Sequence, residues 1–200
     1  MKRFLTSLIG VGLALSIAGS AFAVTFNYSA SSPSSPLLPT VNNGSTQLAL
    51  DPQSNTGLDT TTDIVVANLR LNSAVATVDD VWTSVPFTID LVIQDAGSMA
   101  SGLFTITGAF SGTTRVGSAM LNLDYINIVP VTQPIGPNWA YGVTLPPGYY
   151  AAPGPSPSPG VDGRLGAITV RVAAIPEPSS LALVGAGLLP LVGLARRRRK

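Results

Sequence analysis

The sequence predicts an all-β fold, an antiparallel β-sandwich of jelly-roll or immunoglobulin-like shape with an apolar helix on either side. Short segments rich in β-branched and aromatic residues recur along the chain. Turn-forming pairs such as Asn-Gly, Asp-Pro and Ser-Gly separate these segments. Between the two chain ends no segment has the periodicity of an amphipathic helix, so strands are the expected elements.

The first 23 residues have the three parts of a signal peptide. Met1-Lys2-Arg3 supply positive charge, residues 4–18 are apolar, and small residues including Ala21 and Ala23 follow. The apolar stretch is shorter than the roughly 20 residues that a membrane span needs, which argues against a permanent N-terminal anchor. We therefore predict a signal helix over residues 1–23, which signal peptidase recognises at Ala21 and Ala23 and cuts after Ala23.

Eight segments of the following domain are predicted as strands. Residues 85–93 alternate most clearly, with every second side chain from Phe87 to Ile93 apolar and Thr88 and Asp90 on the other face. The same alternation places Val65, Ala67, Leu69 and Leu71 on one face, and Ile168, Val170 and Val172 on another. The predicted strands are 24–29, 46–50, 63–71, 85–93, 103–110, 119–129, 139–145 and 166–172.

Two proline-rich segments interrupt this pattern. Residues 31–39 follow the first strand, and residues 146–160 form a long segment whose composition favours extended, solvated backbone. Because a strong strand pattern follows the second segment, we interpret it as an excursion within the domain. The domain is therefore predicted over 24–172, with a stalk over 173–180.

The C-terminus combines a short motif, an apolar segment and a basic cluster. Pro176-Glu177-Pro178 is followed by uncharged residues up to Ala195, and Arg196, Arg197, Arg198, Arg199 and Lys200 end the chain. Five cations resist translocation and act as a stop-transfer signal. We predict a transmembrane helix over 181–195, a cytoplasmic tail over 196–200, and the domain on the far side of the membrane.

This C-terminal layout resembles the PEP-CTERM sorting signal of Gram-negative envelope and exopolysaccharide-associated proteins. The resemblance implies recognition of Pro176, Glu177 and Pro178 by an exosortase, an integral-membrane transpeptidase. It also implies a protein anchored transiently in the inner membrane, then placed at the cell surface or outside the cell. A sortase substrate would need Leu-Pro-x-Thr-Gly here, and a lipid-anchor signal would lack the basic cluster.

The composition of residues 24–175 excludes many activities. This part has nine Asp, four Arg and no His, Cys, Lys or Glu, which gives a net charge of −5. The charge disfavours nucleic acid, and the missing residue types exclude disulfides, Ser-His-Asp and Cys-His nucleophiles and His-ligated zinc. We expect a domain that is not an enzyme and needs no cofactor, with an Asp-based glycosidase as the third hypothesis.

Calcium is the metal that the remaining side chains would suit best. Asp79, Asp80 and Asp95 are the candidate ligands, since Ca²⁺ prefers carboxylate and carbonyl oxygens. The sequence lacks the ligand spacing of a calcium loop. We favour the interpretation that these are turn and strand-end residues, and predict no metal site.

Aromatic residues offer a second kind of site, because sugar rings stack on aromatic faces. The candidates are Trp82, Trp139, Tyr141, Tyr149 and Tyr150, although such residues are commonly core. Proline and glycine flank Tyr149 and Tyr150, so we expect this pair to be the most exposed and the best candidate for glycan contact. The leading hypothesis is an exported envelope or extracellular-matrix protein with a structural or adhesive domain; the alternative is a carbohydrate-binding module associated with exopolysaccharide.

Overall fold

The computed structural model describes residues 24–177, and all regular secondary structure in this range is β-strand. The all-β prediction is confirmed. The strands are β1 (Thr25–Ser31), β2 (Gln47–Pro52), β3 (Ser54–Asp59), β4 (Thr61–Asn72), β5 (Asp80–Asp95), β6 (Ser101–Arg115), β7 (Ser118–Val129), β8 (Thr132–Pro134), β9 (Trp139–Thr144), β10 (Tyr150–Ala151) and β11 (Gly166–Pro176).

The strands form two antiparallel sheets. A five-stranded sheet has the order β3-β1-β5-β6-β7, and a six-stranded sheet has the order β2-β4-β11-β9-β8 with β10 beside β11. The predicted signal helix (1–23) and transmembrane helix (181–195) lie outside the described residues. Within 24–177 no helix is long and apolar enough to span a membrane.

One hydrophobic core lies between the two sheets, and both contribute to it. The Phe26 and Tyr141 rings meet edge to face across it, with centroids 6.0 Å apart. The Tyr28 hydroxyl of one sheet donates to the Val65 carbonyl oxygen of the other at 2.9 Å. These contacts join β1 to β9 and β4, so the faces predicted to be apolar pack against each other.

The predicted alternation of β5 and β11 is confirmed. Phe87, Ile89, Leu91 and Ile93 are all buried in β5, as are Ile168, Val170 and Val172 in β11. At about 25 cal/mol per Å² of buried apolar surface, side chains of this size each contribute roughly 1.5–3 kcal/mol to the free energy of unfolding.

The predicted face of β4 is wrong at Val65. Ile168 pairs with Ala67 and Thr169 pairs with Val65, so Val66 is an extra residue, a β-bulge. One extra residue reverses the alternation, and Val66 is therefore fully buried while Val65 is only half-buried. Ala67, Leu69 and Leu71 are buried as predicted.

Three strands have no counterpart among the predicted segments. Ser54–Asp59 is an edge strand of mostly exposed polar residues, so it lacks the apolar alternation that marks a strand. Thr132–Pro134 and Tyr150–Ala151 are only three and two residues long. Their pairing with β9 and β11 is set by the tertiary fold, which propensity does not encode.

The long proline-rich segment lies against the domain. Ser156 is fully buried, and its carbonyl oxygen accepts a hydrogen bond from Gly117 N at 2.7 Å. Gly160 N donates to the Ser73 carbonyl oxygen at 3.1 Å. This segment is therefore packed, in contrast to the solvated conformation that its composition favours.

The last strand extends into the segment predicted as a stalk. Ala174, Ile175 and Pro176 pair with Tyr141, Ala140 and Trp139 of β9. Strand β11 thus continues four residues beyond the domain boundary predicted at residue 172, because the backbone of residues 173–176 belongs to a sheet. The end of β11 is visible from strand pairing and not from the sequence, because alternating apolar residues continue only weakly beyond Val172.

Candidate functional site

The two ends of the described chain leave the domain on the same side. Thr25 pairs with Asp59, and Ala96 N donates to the Thr25 carbonyl oxygen at 3.1 Å. The last pair of β11 joins Pro176 to Trp139. We call this side the terminal end; it consists of Val24, Pro176–Glu177 and the turns at 59–61, 96–100 and 135–138.

The described part of the predicted sorting motif is held in the sheet at the terminal end. Pro176 closes β11, and Glu177 N donates to the Asn138 carbonyl oxygen at 3.1 Å. Three residues earlier, Ala174 N donates to the Thr60 carbonyl oxygen at 2.8 Å. The motif thus begins as ordered strand. Pro178, the basic residues Arg196 to Lys200, and Ala21 and Ala23 of the predicted signal peptide lie outside the described residues.

The terminal end also exposes apolar side chains. Met99 is 64% exposed at the tip of the 96–100 turn, and Ile175 is 44% exposed near the end of β11. Trp139 is partly buried and packs against the core. At the opposite end of the domain Met120 is 69% exposed at the start of β7.

A carboxylate fixes the turn that carries Met99. Asp95 is 4% exposed and accepts hydrogen bonds from Ser98 N at 2.7 Å, Ser98 Oγ at 2.6 Å and the Tyr141 hydroxyl at 2.8 Å. Burial alone would raise the pKa of Asp95. The three hydrogen bonds together lower the pKa by more than burial raises it, so it lies below its ordinary value. Burial, with the bond to Asp95, raises the pKa of Tyr141 well above its ordinary value.

A second buried carboxylate fixes the other end of β5. Asp80 is fully buried and accepts hydrogen bonds from Gly44 N, from Thr46 N at 2.9 Å and from the Thr46 hydroxyl. Neighbouring Asp79 is exposed and lies 3.5 Å from Arg115. Within residues 24–177 no group of three His, Cys, Asp or Glu side chains could hold a metal ion. Each of the three candidate calcium ligands is bound by other protein groups, and Asp95 lies at the opposite end of β5 from Asp79 and Asp80.

The tyrosine pair has a different environment from the one expected. Tyr150 is half-buried and packs on the core, with its ring centroid 5.9 Å from that of Phe110. Its hydroxyl donates to the Leu121 carbonyl oxygen at 3.4 Å, and burial raises its pKa. Tyr149 is half-buried too. The pair is more exposed than Trp82 and Tyr141, which are buried, although the pairing of β10 with β11 holds Tyr150 against the core.

Two other aromatic candidates are core residues, and a tyrosine outside the candidate set is exposed. Trp82 is 2% exposed and donates from Nε1 to the Thr114 hydroxyl at 2.9 Å, and Tyr141 is fully buried. Tyr125, which the sequence did not single out, is 51% exposed on β7. The alternation of β7 breaks between Leu123 and Tyr125, where the register with β6 shifts, and this break hides the outward position of Tyr125 from pattern analysis.

The terminal end itself was missed by sequence reasoning. Met99 and Asn138 lie in turns without a motif, and their proximity to β11 depends on strand order. The one usable signal was the short distance in sequence between the last strand and the C-terminal motif.

Comparison with protein families finds the PEP-CTERM protein-sorting motif at residues 174–200, which confirms the resemblance at the C-terminus. The motif implies an exported protein that an exosortase sorts at its C-terminus. Comparison with curated proteins and with solved structures finds no match. The motif begins at Ala174, inside β11, so the sorting signal and the folded domain share residues.

Proposed function

We propose that this protein is secreted through its signal peptide, held briefly in the inner membrane by its C-terminal helix, and processed there for surface display or release. Its domain serves a structural or adhesive role in the cell envelope or extracellular matrix. The observation that carries the proposal is the sorting motif at residues 174–200. The partners it requires are signal peptidase and an exosortase.

The surroundings of the carboxylates support a domain that is not catalytic. Asp51 and Asp162 both pair with Arg70, and Asp63 pairs with Arg171. Asp59 is the one aspartate of residues 24–177 whose side chain has no hydrogen bond or ion pair. An acid and base pair for hydrolysis needs two carboxylates facing a common cleft, and the other eight aspartates of this range bond to arginines, hydroxyls or backbone amides instead.

The arrangement of the sheets supports a β-sandwich of jelly-roll or immunoglobulin-like kind. Two antiparallel sheets share one core, as in both folds. Such domains present loops and sheet faces on a rigid scaffold and need no cofactor to do so.

Intact mass of the protein recovered from membranes and from the medium of the native host tests the proposal. We expect a species that starts at Val24 and ends near Pro178, or carries added mass there, and a species ending at Lys200 in cells without the exosortase. Glu177→Gln should slow this conversion, whereas Asp59→Asn, an acidic residue of the same terminal end, should not. A membrane species that always ends at Lys200 would refute the sorting proposal.

The alternative is a carbohydrate-binding module that acts in the exopolysaccharide. The exposure of Tyr125 favours it, because the ring lies on an outer sheet face, and Asn127 is exposed two residues further along β7. A module of this kind should be retained on immobilised exopolysaccharide of the host and lose roughly tenfold in affinity on Tyr125→Ala. Tyr150→Phe, which keeps the half-buried ring, should not change retention, and equal elution of all variants would remove this alternative.

A further inference from the structure

We infer that the terminal end of the domain lies against the membrane surface while the C-terminal segment is inserted, with Met99 and Ile175 in the lipid interface. The inference rests on the proposed anchoring by residues 181–195 and adds a lipid-facing surface to it.

The length of chain between the last strand and the apolar segment carries the first step. Glu177 is bonded to Asn138, and only four peptide units separate it from Leu181, the start of the predicted span. A fully extended chain covers at most about 3.5 Å per residue, so this connection spans about 14 Å or less. Because β11 is sheet up to Pro176, no further residues are free to act as a spacer.

The side chains on this surface carry the second step. Met99 is 64% exposed and Ile175 is 44% exposed, and Trp139 lies beside Pro176 in β9. Tryptophan and apolar side chains favour the boundary between headgroups and acyl chains. The position of Met99 is rigid, because Asp95 binds Ser98, and Gly136 packs against Ser98 so closely that a Cβ there would lie 2.4 Å from Ser98 Oγ.

The charge of the terminal end indicates which lipid headgroups it can contact. The terminal end carries exposed Asp59 and the half-buried Glu177, and its turns contain no lysine or arginine. Attraction to anionic headgroups therefore does not hold the domain in place. The contact depends on apolar burial and on the short connection, so zwitterionic vesicles suffice to test it.

The chain offers a matched pair of probe positions. It has no cysteine, so Met99→Cys and Met120→Cys each place one label, at positions of similar exposure on opposite ends of the domain. The full chain carrying an environment-sensitive fluorophore is reconstituted in phosphatidylcholine vesicles with a doxyl-labelled lipid as quencher. Leu188→Cys in the apolar segment reports insertion of the anchor, and circular dichroism checks that each variant folds.

We expect blue-shifted emission at position 99 and at least about twofold stronger quenching there than at position 120, since interfacial groups lie about 5–10 Å into the lipid boundary. Strong quenching at position 188 with equal, weak quenching at positions 99 and 120 would overturn the docking surface and leave the anchor intact. Without quenching at position 188, both the anchor and the surface that rests on it would be wrong.

Discussion

Asp79 and Asp80 are adjacent in sequence but differ in what they stabilise. Asp80→Ala leaves Gly44 N, Thr46 N and the Thr46 hydroxyl without their buried acceptor, so we expect it to lower the free energy of unfolding by about 3 kcal/mol. Asp79→Ala removes only an exposed ion pair with Arg115 and should change that free energy by less than about 1 kcal/mol. Urea unfolding of both variants measures the difference, and similar losses would contradict it.

The hydrogen bond between Tyr141 and Asp95 predicts a dependence of stability on pH. The folded state lowers the pKa of Asp95 below its ordinary 3.8, so this contribution is present above that pH and is lost as the pH falls through the lowered value. The pKa of Tyr141 is raised from 10.0, so its contribution is present below pH 10 and is lost above it. We expect highest stability between these limits.

Tyr141→Phe tests this pair. The variant should lose about 2 kcal/mol at neutral pH, because a hydrogen bond to a charged group is removed, and its acid unfolding should begin at higher pH. Tyr149→Phe is the control, since the Tyr149 hydroxyl has no hydrogen-bond partner within residues 24–177. An acid transition that does not move in Tyr141→Phe would show that the bond does not stabilise the Asp95 carboxylate.

At the scale of the elements, the bulge in β4 decides which of Val65 and Val66 faces the core. Val66→Thr buries a hydroxyl in the core, so we expect a loss of about 1–2 kcal/mol, whereas Val65→Thr should stay within about 0.5 kcal/mol. Uninterrupted alternation would predict the reverse order. Thermal unfolding of the two variants separates these cases, because their side-chain changes are identical.

The extension of β11 gives a second prediction about an element. A domain ending at Val172 lacks the pairs that join Ala174, Ile175 and Pro176 to β9, and it lacks the bond from Ala174 N to Thr60. It should be less stable than residues 24–177 by about 2–3 kcal/mol, at roughly 1 kcal/mol per backbone hydrogen bond lost. Equal urea midpoints for the two lengths would mean that residues 173–177 act as a stalk.

The sequence was informative wherever burial on one face imposes a period of two. That condition holds for β5 and β11, whose buried faces were predicted residue by residue. It fails for β3, which is exposed, and for β8 and β10, which are too short to show a pattern. A bulge at Val66 also lies beyond pattern analysis, since Ile64, Val65 and Val66 are all apolar and fit either phase, and the pairing with β11 selects one.

The candidate site was predictable only in part for a related reason. The sorting motif is contiguous in sequence, so its residues could be named from the sequence alone. The terminal end is made of turns from distant parts of the chain, and strand order alone brings them together. Tyr150 illustrates the same limit, because its flanking residues do not show its contact with Phe110, which depends on the pairing of β10 with β11.

At the scale of the whole molecule, the proposed membrane topology depends on the charge at the C-terminus. Replacing Arg196 to Lys200 with serines removes the stop-transfer signal, so we expect the segment to cross the membrane and the chain to appear unprocessed in the soluble fraction. Arg164→Ser, which removes one positive charge within the domain, should leave membrane retention unaltered. Retention of the serine variant at the level of the original chain would count against a topology set by the basic cluster.

The common exit of Val24 and Glu177 determines how the domain responds to mechanical force. A pull on Glu177 away from the domain loads the last pair of β11 first, so hydrogen bonds to β9 break one after another, as in a zipper. Simultaneous shear of the whole strand would require a pull from opposite ends. We therefore expect a domain pulled between Val24 and Glu177 to open from the terminal end, where the pairs of β11 with β9 are lost first.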